Sequence, residues 1–435
     1  MKSVWNENIK RKRFASLKKD IKTDVLIIGG GMAGILCAYM LNEAGVDCVL
    51  VEAERICNGV TANTTAKITL QHGLIYDKII NKYDVEAALM YLKAQQMALE
   101  CFDTLCRDID CDYKRQDAYV YSRDDRAEIE REVLAYERLG IAAEFCETVD
   151  LPMEIAGAVR VKNQAQFHPL KFCLSLAEQL QIYENTKIME IFDGGAITQN
   201  GTVFAEKIIV ATHFPFANKY GAYFLKMYQH RSYVLALKNA HLPDGMYVDA
   251  DIKGLSFREY NGMLLLGGGS HRTGKKGGAW QGLRAFANKK YPKSQEIAHW
   301  ATQDCMTLDG IPYIGEYSRR IPNVYVATGF NKWGMTSSMA AAMILTDMIN
   351  DKSNEYAQVF LPSRSILHPQ LAVNAAETAV NLITPTAPRC PHLGCALKYN
   401  AAEHSWDCPC HGSRFTKDGK LIENPATDDL RIKKE

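Results

Sequence analysis

The sequence predicts an α/β protein: a Rossmann-like dinucleotide-binding domain interleaved with an antiparallel-sheet substrate domain, then a small β-rich C-terminal module. Three observations carry this prediction. An apolar strand from Asp24 runs into Gly29-x-Gly31-x-x-Gly34, then a helix, then a second strand ending at Glu52, the order of a dinucleotide-binding βαβ unit. Residues 228–271 alternate apolar and polar positions in short runs, as half-buried antiparallel strands do. Four cysteines (Cys390, Cys395, Cys408, Cys410) crowd into 21 residues near the C-terminus.

The βαβ unit assigns roles by chemistry. Gly29 permits the tight turn, Gly31 lets the backbone approach a pyrophosphate, and Gly34 lets helix and strand pack closely. The helix N-terminus offers free N–H groups to phosphate. Glu52 is placed to accept hydrogen bonds from a ribose hydroxyl. The bland alternative is a glycine-rich turn that binds nothing.

With 435 residues, 47% hydrophobic and 23% charged, the chain is long enough for two or three domains. A net charge of +1 gives no general field for nucleic acid or a membrane surface. No apolar run reaches the length of a membrane span, and the basic run Lys10–Arg13 has neither the apolar core nor the cleavage site of a signal peptide. A cytoplasmic location is expected, and the nine cysteines scattered over the first 305 residues fit reduced thiols there.

Residues 1–20 read as a basic arm laid over the first domain. The loop after Glu52 is rich in small hydroxyl residues, among them Thr64 and Thr65, and is suited to wrapping a cofactor. Residues 77–140 read as helices, with 123–139 charged and solvent-facing. His168-Pro169 opens another helix, and the apolar strand ending at Val210-Ala211-Thr212 stops where a parallel sheet meets a nucleotide. Strands at 232–237, 254–258 and 263–266 follow, broken by Gly267–Gly269. Polar candidates for a substrate pocket are Tyr228, Arg231, Tyr233, Arg258, His271 and Arg272, each read equally well as a surface or structural residue, joined by Lys332 and Trp333 from the later turn. Asp309-Gly310-Ile-Pro312 reads as a turn, and Ala327-Thr328-Gly329 ends a strand. A helix then begins near Gly334 and Thr336, its N-terminus able to hold negative charge.

Together Gly29/Gly31/Gly34 with Glu52, Val210–Thr212, Asp309–Pro312, and Ala327–Gly329 with Gly334 resemble the D-amino-acid oxidase-like FAD oxidoreductases, over about 330 residues. The resemblance implies an FAD/NAD(P)-binding Rossmann-like domain and noncovalent FAD. It also implies oxidation of a small amine or amino acid at a C–N bond, by hydride transfer to the flavin. FAD contacts then fall to these residues and to Thr64, Thr65 and Thr336. No catalytic acid or base is assignable. Two departures stand out: Leu265 takes the place of an oxygen-promoting lysine, and Thr336 that of a lysine holding the substrate carboxylate.

In the C-terminal stretch, Cys390-x-His392 and Cys408-x-x-His411 supply two thiolates and two imidazoles, the donor set of a Rieske [2Fe-2S] centre. A tetrahedral zinc site would use the same four residues but leaves Cys395, Cys410 and the flanking glycines unexplained. The stretch resembles the Rieske domains of cytochrome bc complexes. That resemblance implies a Cys395–Cys410 disulfide, with Ser413 near a cluster sulfur. Residues 367–383 read as a helix, so the usual base sheet is cut down and the module should depend on docking for stability.

The expected division is 21–365 for the flavoprotein, 366–389 for a helical linker, and 390–435 for the Rieske module. Within the flavoprotein, FAD-binding parts fall at about 21–75, 150–215 and 305–350, and substrate parts at 76–149 and 216–304. The expected activity passes electrons through the cluster to an unknown acceptor. The alternatives are an NAD(P)H-linked reductase feeding an oxygenase, and a non-enzymatic redox sensor.

Overall fold

The computed structural model describes residues 3–385 and 388–431. Residues 386–387 of the expected link into Cys390, and the module beyond 431, lie outside that description. Eight strands form the first sheet. Its spine is β1 (Ile21–Ile28), flanked by β2 (Cys48–Val51) and by β3 (Thr202–Val210), all parallel. Parallel pairing buries both faces, which is why Val25–Ile28 and Ile208–Val210 are continuous apolar runs. Between β1 and β2 runs α1 (Met32–Glu43), which packs on the long apolar helix Gly334–Ile349.

The second sheet has nine strands. At one edge β4 (Met227–Lys238) lies between the strand Met263–Arg272 and β5 (Gln295–Thr307), both antiparallel to it. Gly267–Gly269 do not end the 263–272 strand, contrary to expectation. They coincide with a register shift opposite Arg231 and Tyr233, where Gly269 takes φ +64°.

Two other expectations are corrected. Residues 77–140 are not all helical: Lys114–Ser122 is a strand of the second sheet, and Gly157–Gln166 pairs with it. The substrate sheet therefore claims the start of the 150–215 segment. The helix Arg126–Arg138 is not wholly solvent-facing, since Glu132 is buried and accepts from the N–H groups of Tyr76 and Asp77.

The N-terminal arm is anchored as well as laid over the domain. Trp5 is fully buried and its indole N–H donates to Thr64 O at 2.7 Å. His168 is structural: its Nδ1 caps the helix Pro169–Ala177.

The C-terminal module is a four-stranded antiparallel sheet with a core of eight buried residues. The helix before it, Pro369–Ile383, turns its polar side inward. Asn374 and Asn381 are buried, while Val373, Val380, Leu382 and Ile383 are exposed. Asn374 Oδ1 accepts from Arg272 at 2.8 Å and Glu377 pairs with Lys275 at 2.6 Å, so polar contacts seat this helix. Among the described residues, no helix is long and apolar enough to cross a membrane.

Candidate functional site

A cavity of about 1400 Å³ begins at the β1–α1 turn, passes Glu52, Thr64 and Thr65, and runs beneath the second sheet to Lys332, Trp333 and Gly334. Its far wall includes residues of the C-terminal module, among them Glu423 and Asn424.

The glycines divide by what a side chain would meet. A Cβ on Gly34 would fall 1.8 Å from Gly29 O, and one on Gly29 2.7 Å from Ala211 O. Both are packing requirements. A Cβ on Gly31 meets nothing nearer than Thr61 Oγ1 at 3.5 Å, so Gly31 keeps the cavity surface open. Glu52 accepts from the N–H groups of Gly30 (2.7 Å) and Glu54 (2.9 Å). Burial pushes its pKa up. Ala211 and Thr212 line the cavity beside this turn.

Other expected contacts are used inside the protein. Thr336 Oγ1 donates to Thr69 O and meets His72 Nε2 at 2.9 Å, away from the cavity. Gly329 takes φ +71° with Thr307 close behind, serving the chain reversal. Asp309 borders the cavity, but its carboxylate accepts from Arg364 (2.6 and 2.9 Å) and Tyr83 (2.9 Å). His72, which sequence reasoning missed, lines the cavity and stacks on Trp333 at 5.2 Å. Burial drives its pKa down to about 3. Nothing in its sequence neighbourhood distinguished it.

Of the substrate-pocket candidates, Tyr228, Tyr233, Lys332 and Trp333 line the cavity. The three arginines do not. Arg258 is fully buried and donates to the carbonyls of Ala66 (2.8 Å) and Phe167 (3.2 Å). Arg231 is paired with Glu403 and Glu423, and Arg272 donates to Pro409 O (2.9 Å) and Cys410 O (2.8 Å). All four of those partners lie in the C-terminal module. His271 stacks on Tyr233 at 5.7 Å, with Nδ1 3.2 Å from Gly269 O.

Strands β4 and β5 therefore form a shared wall. Successive side chains point to opposite faces. Gln229, Arg231, Tyr233 and Gln303 are buried and bond to the module, Tyr233 and Gln303 lining the cavity as well, while Tyr228, Ser232, Thr302 and Asp304 are half-buried and border the cavity. Gln229 Nε2 donates to His411 O (2.8 Å) and Asn424 O (2.9 Å), and Gln303 Nε2 donates to Gly412 O (2.8 Å). Asn424 Nδ2 donates to Thr212 O and Phe214 O, both at 2.8 Å, just past the end of β3.

Within the module, Cys395 and Cys410 are joined in a disulfide. Cys408 lies within 4.8 Å of both sulfurs, but it and Cys390 keep free thiols. The Cys408 thiol beside Cys390 holds the Cys390 pKa down, to about 7. The His392 and His411 rings meet edge to face, with centroids 5.0 Å apart. Burial lowers their pKa values to about 4 and 3, which favours neutral imidazoles. Both Nδ1 atoms are buried with no hydrogen-bond partner. Partnerless buried acceptors beside two free thiols are what an iron cluster would satisfy.

Residues 24–348 match the family model for FAD dependent oxidoreductases. The chain belongs to that family. Residues 363–434 match the Rieske [2Fe-2S] domain, so this FAD dependent oxidoreductase carries a Rieske domain and uses both cofactors. Over the full length it is similar to the Rieske 2Fe-2S iron-sulfur protein YhfW of Bacillus subtilis, with 36% identity over 99% of this chain and 97% of that one. In fold it is similar to L-proline dehydrogenase from P. horikoshii (TM-score 0.67, 16% identity, 80% of this chain and 98% of that one). It is also similar to glycine oxidase from Geobacillus kaustophilus (TM-score 0.66, 18% identity, 79% and 99%). The Rieske match begins ahead of the inverted helix Pro369–Ile383, which sequence reading had treated as a linker.

In this oxidoreductase the Asp309–Arg364 pair staples the cavity rim. Burial alone would raise the Asp309 pKa. The Arg364 charge and hydrogen bonds outweigh it and hold the carboxyl at about 2, against 3.8 normally. The pair's contribution is therefore present above about 3.8 and is lost as pH falls toward 2. Arg364→Met should cost about 3–5 kcal/mol, because it strands a buried carboxylate. Urea unfolding at pH 7 would read the loss. An unchanged midpoint would refute the assignment.

Proposed function

We propose that this chain oxidises a small amine or amino acid at a C–N bond and passes the electrons singly through its Rieske cluster to an external acceptor. Bound FAD supplies the hydride-accepting ring, and the cluster supplies a one-electron relay whose histidine ligation raises its potential. In this reading Gly31, the α1 N-terminus and Glu52 hold the dinucleotide, with Thr64, Thr65, Ala211 and Thr212 beside it. Cys390 and Cys408 bind one iron, and His392 and His411 the other.

The observation that carries the reading is the shared wall. One pair of strands both borders the cavity and seats the Rieske loop, through Gln229 and through Gln303, which itself lines the cavity. Glycine oxidase and L-proline dehydrogenase, which share the fold, are named for amino-acid substrates. Leu265, where the family resemblance expects an oxygen-promoting lysine, is apolar and buried, which favours an acceptor other than oxygen. The free cysteines over the first 305 residues favour a cytoplasmic location.

The test is an anaerobic titration of the purified holoprotein with amines and amino acids, following flavin absorbance and the cluster EPR spectrum together. Bleaching accompanied by a Rieske-type signal is the expected result. Bleaching with an EPR-silent cluster would reject internal transfer.

A further inference from the structure

On one face of the wall, four polar side chains sit in two cross-strand pairs, Ser232 opposite Thr302 and His230 opposite Asp304. The Ser232 and Thr302 hydroxyls and His230 Nδ1 are buried without a partner. Among the described residues Asp304 is paired with nothing, and it borders the cavity with Ser232 and Thr302. Native proteins satisfy nearly all such groups, so three together beside an unpaired carboxylate mark a place where something else binds.

Charge says what. The charged groups around Asp304 are Lys332, Arg231 and Glu423, besides His230. Arg231 is committed to Glu403 and Glu423, and the Lys332 ammonium donates to Ser270 Oγ at 2.6 Å. Burial raises the Asp304 pKa to about 6, with Lys332 opposing the shift, so near neutral pH the group is an anion lacking a direct counter-ion. Such a charge is costly unless a cation pairs with it. Arg231, Arg258 and Arg272, which could have clamped a carboxylate, are all spent on protein partners.

Resting on the function proposed above, we infer that Asp304 anchors the ammonium group of the substrate and takes one of its protons before the neutral amine gives up hydride from its α-carbon, with Ser232, Thr302 and His230 completing its hydrogen bonds. The substrate class is then a cationic amine, fixed by its ammonium group rather than by a carboxylate.

The test uses oxidised holoprotein and reads perturbation or bleaching of the flavin spectrum on titration with butylamine and with pentanoate, its anionic counterpart. Butylamine should bind and pentanoate should not. Asp304→Asn should weaken butylamine binding about thirtyfold or more, the loss expected when one partner of a buried ion pair is removed. Asp304→Glu should stay within a few-fold of wild type. FAD content and the dithionite-reduced EPR signal should be unchanged in both, which separates an anchor from a structural role. If Asp304→Asn loses FAD, the comparison rests on Asp304→Glu together with Ser232→Ala, which should weaken butylamine binding more modestly.

Equal butylamine affinity in Asp304→Asn, tighter binding of pentanoate, or wild-type protein indifferent to butylamine would each overturn the inference. Binding that needs Asp304 but never bleaches the flavin would remove the oxidation reading and leave the anchor. Bleaching by butylamine that survives Asp304→Asn unchanged would do the reverse.

Discussion

Arg231→Glu should release the Rieske module from the flavoprotein while leaving its cluster assembled. Arg231 is 6% exposed and paired with Glu403 and Glu423 of the module. Burial alone would raise the Glu403 pKa, yet Arg231 and Arg414 hold it down to about 2. The substitution sets three carboxylates against one another and leaves Arg414 to neutralise them from the module side alone. Breaking a buried pair costs about 3–5 kcal/mol, and like charges at close range add to that. The remaining seats include the Lys275–Glu377 pair, hydrogen bonds from Gln229, Gln303 and Asn424, and those donated by Arg272 to backbone carbonyls, each hydrogen bond contributing about 0.5–3 kcal/mol. Two measurements check this. Limited proteolysis should gain a site between the domains, and substrate-reduced flavin should pass electrons to the cluster at least about tenfold more slowly. The cluster's EPR line shape after dithionite should not change, because no ligand is touched. A variant that resists protease and transfers at the wild-type rate would show that the ion-pair network does not hold the interface.

Gly34→Ala should cost at least about 3 kcal/mol and yield protein without FAD. The added Cβ would lie 1.8 Å from Gly29 O, a backbone atom that cannot give way without opening the β1–α1 turn. Gly31→Ala is the informative control. Its Cβ has 3.5 Å to its nearest neighbour, so the chain should fold, yet the methyl would stand where a pyrophosphate must approach. Thermal melts of the flavin-free proteins, set beside the flavin-to-protein absorbance ratio, separate the two. Gly34→Ala should lose both stability and flavin, Gly31→Ala only flavin. Full flavin in both would mean the dinucleotide sits elsewhere.

Both expectations draw on what the sequence made legible and what it hid. The βαβ glycines, the parallel strand ending at Ala211-Thr212, and the Cys–His loops were readable because each motif satisfies its chemistry within a few residues. The strand Lys114–Ser122 was missed between two long helices, since its partner lies some 40 residues on and periodicity is a local signal. The choice between a pocket role and a structural one for the arginines was hidden for a related reason. Arg231 and Arg272 are separated from their module partners by more than 100 residues, and nothing near them in sequence announces a second domain. The helix Pro369–Ile383 was recognised, but its apolar side was not expected to face outward, because that orientation is set by Arg272 and Lys275 on a distant strand and turn.

Residues of β4 and β5 answer to different neighbours: Gln229 and Arg231 hold the module, while Tyr228, Ser232, Thr302 and Asp304 border the cavity. Relatives built on this plan can therefore drift in what the cavity accepts without loosening the seat of the Rieske domain. Selection can act on either property through different residues of the same short stretch of chain.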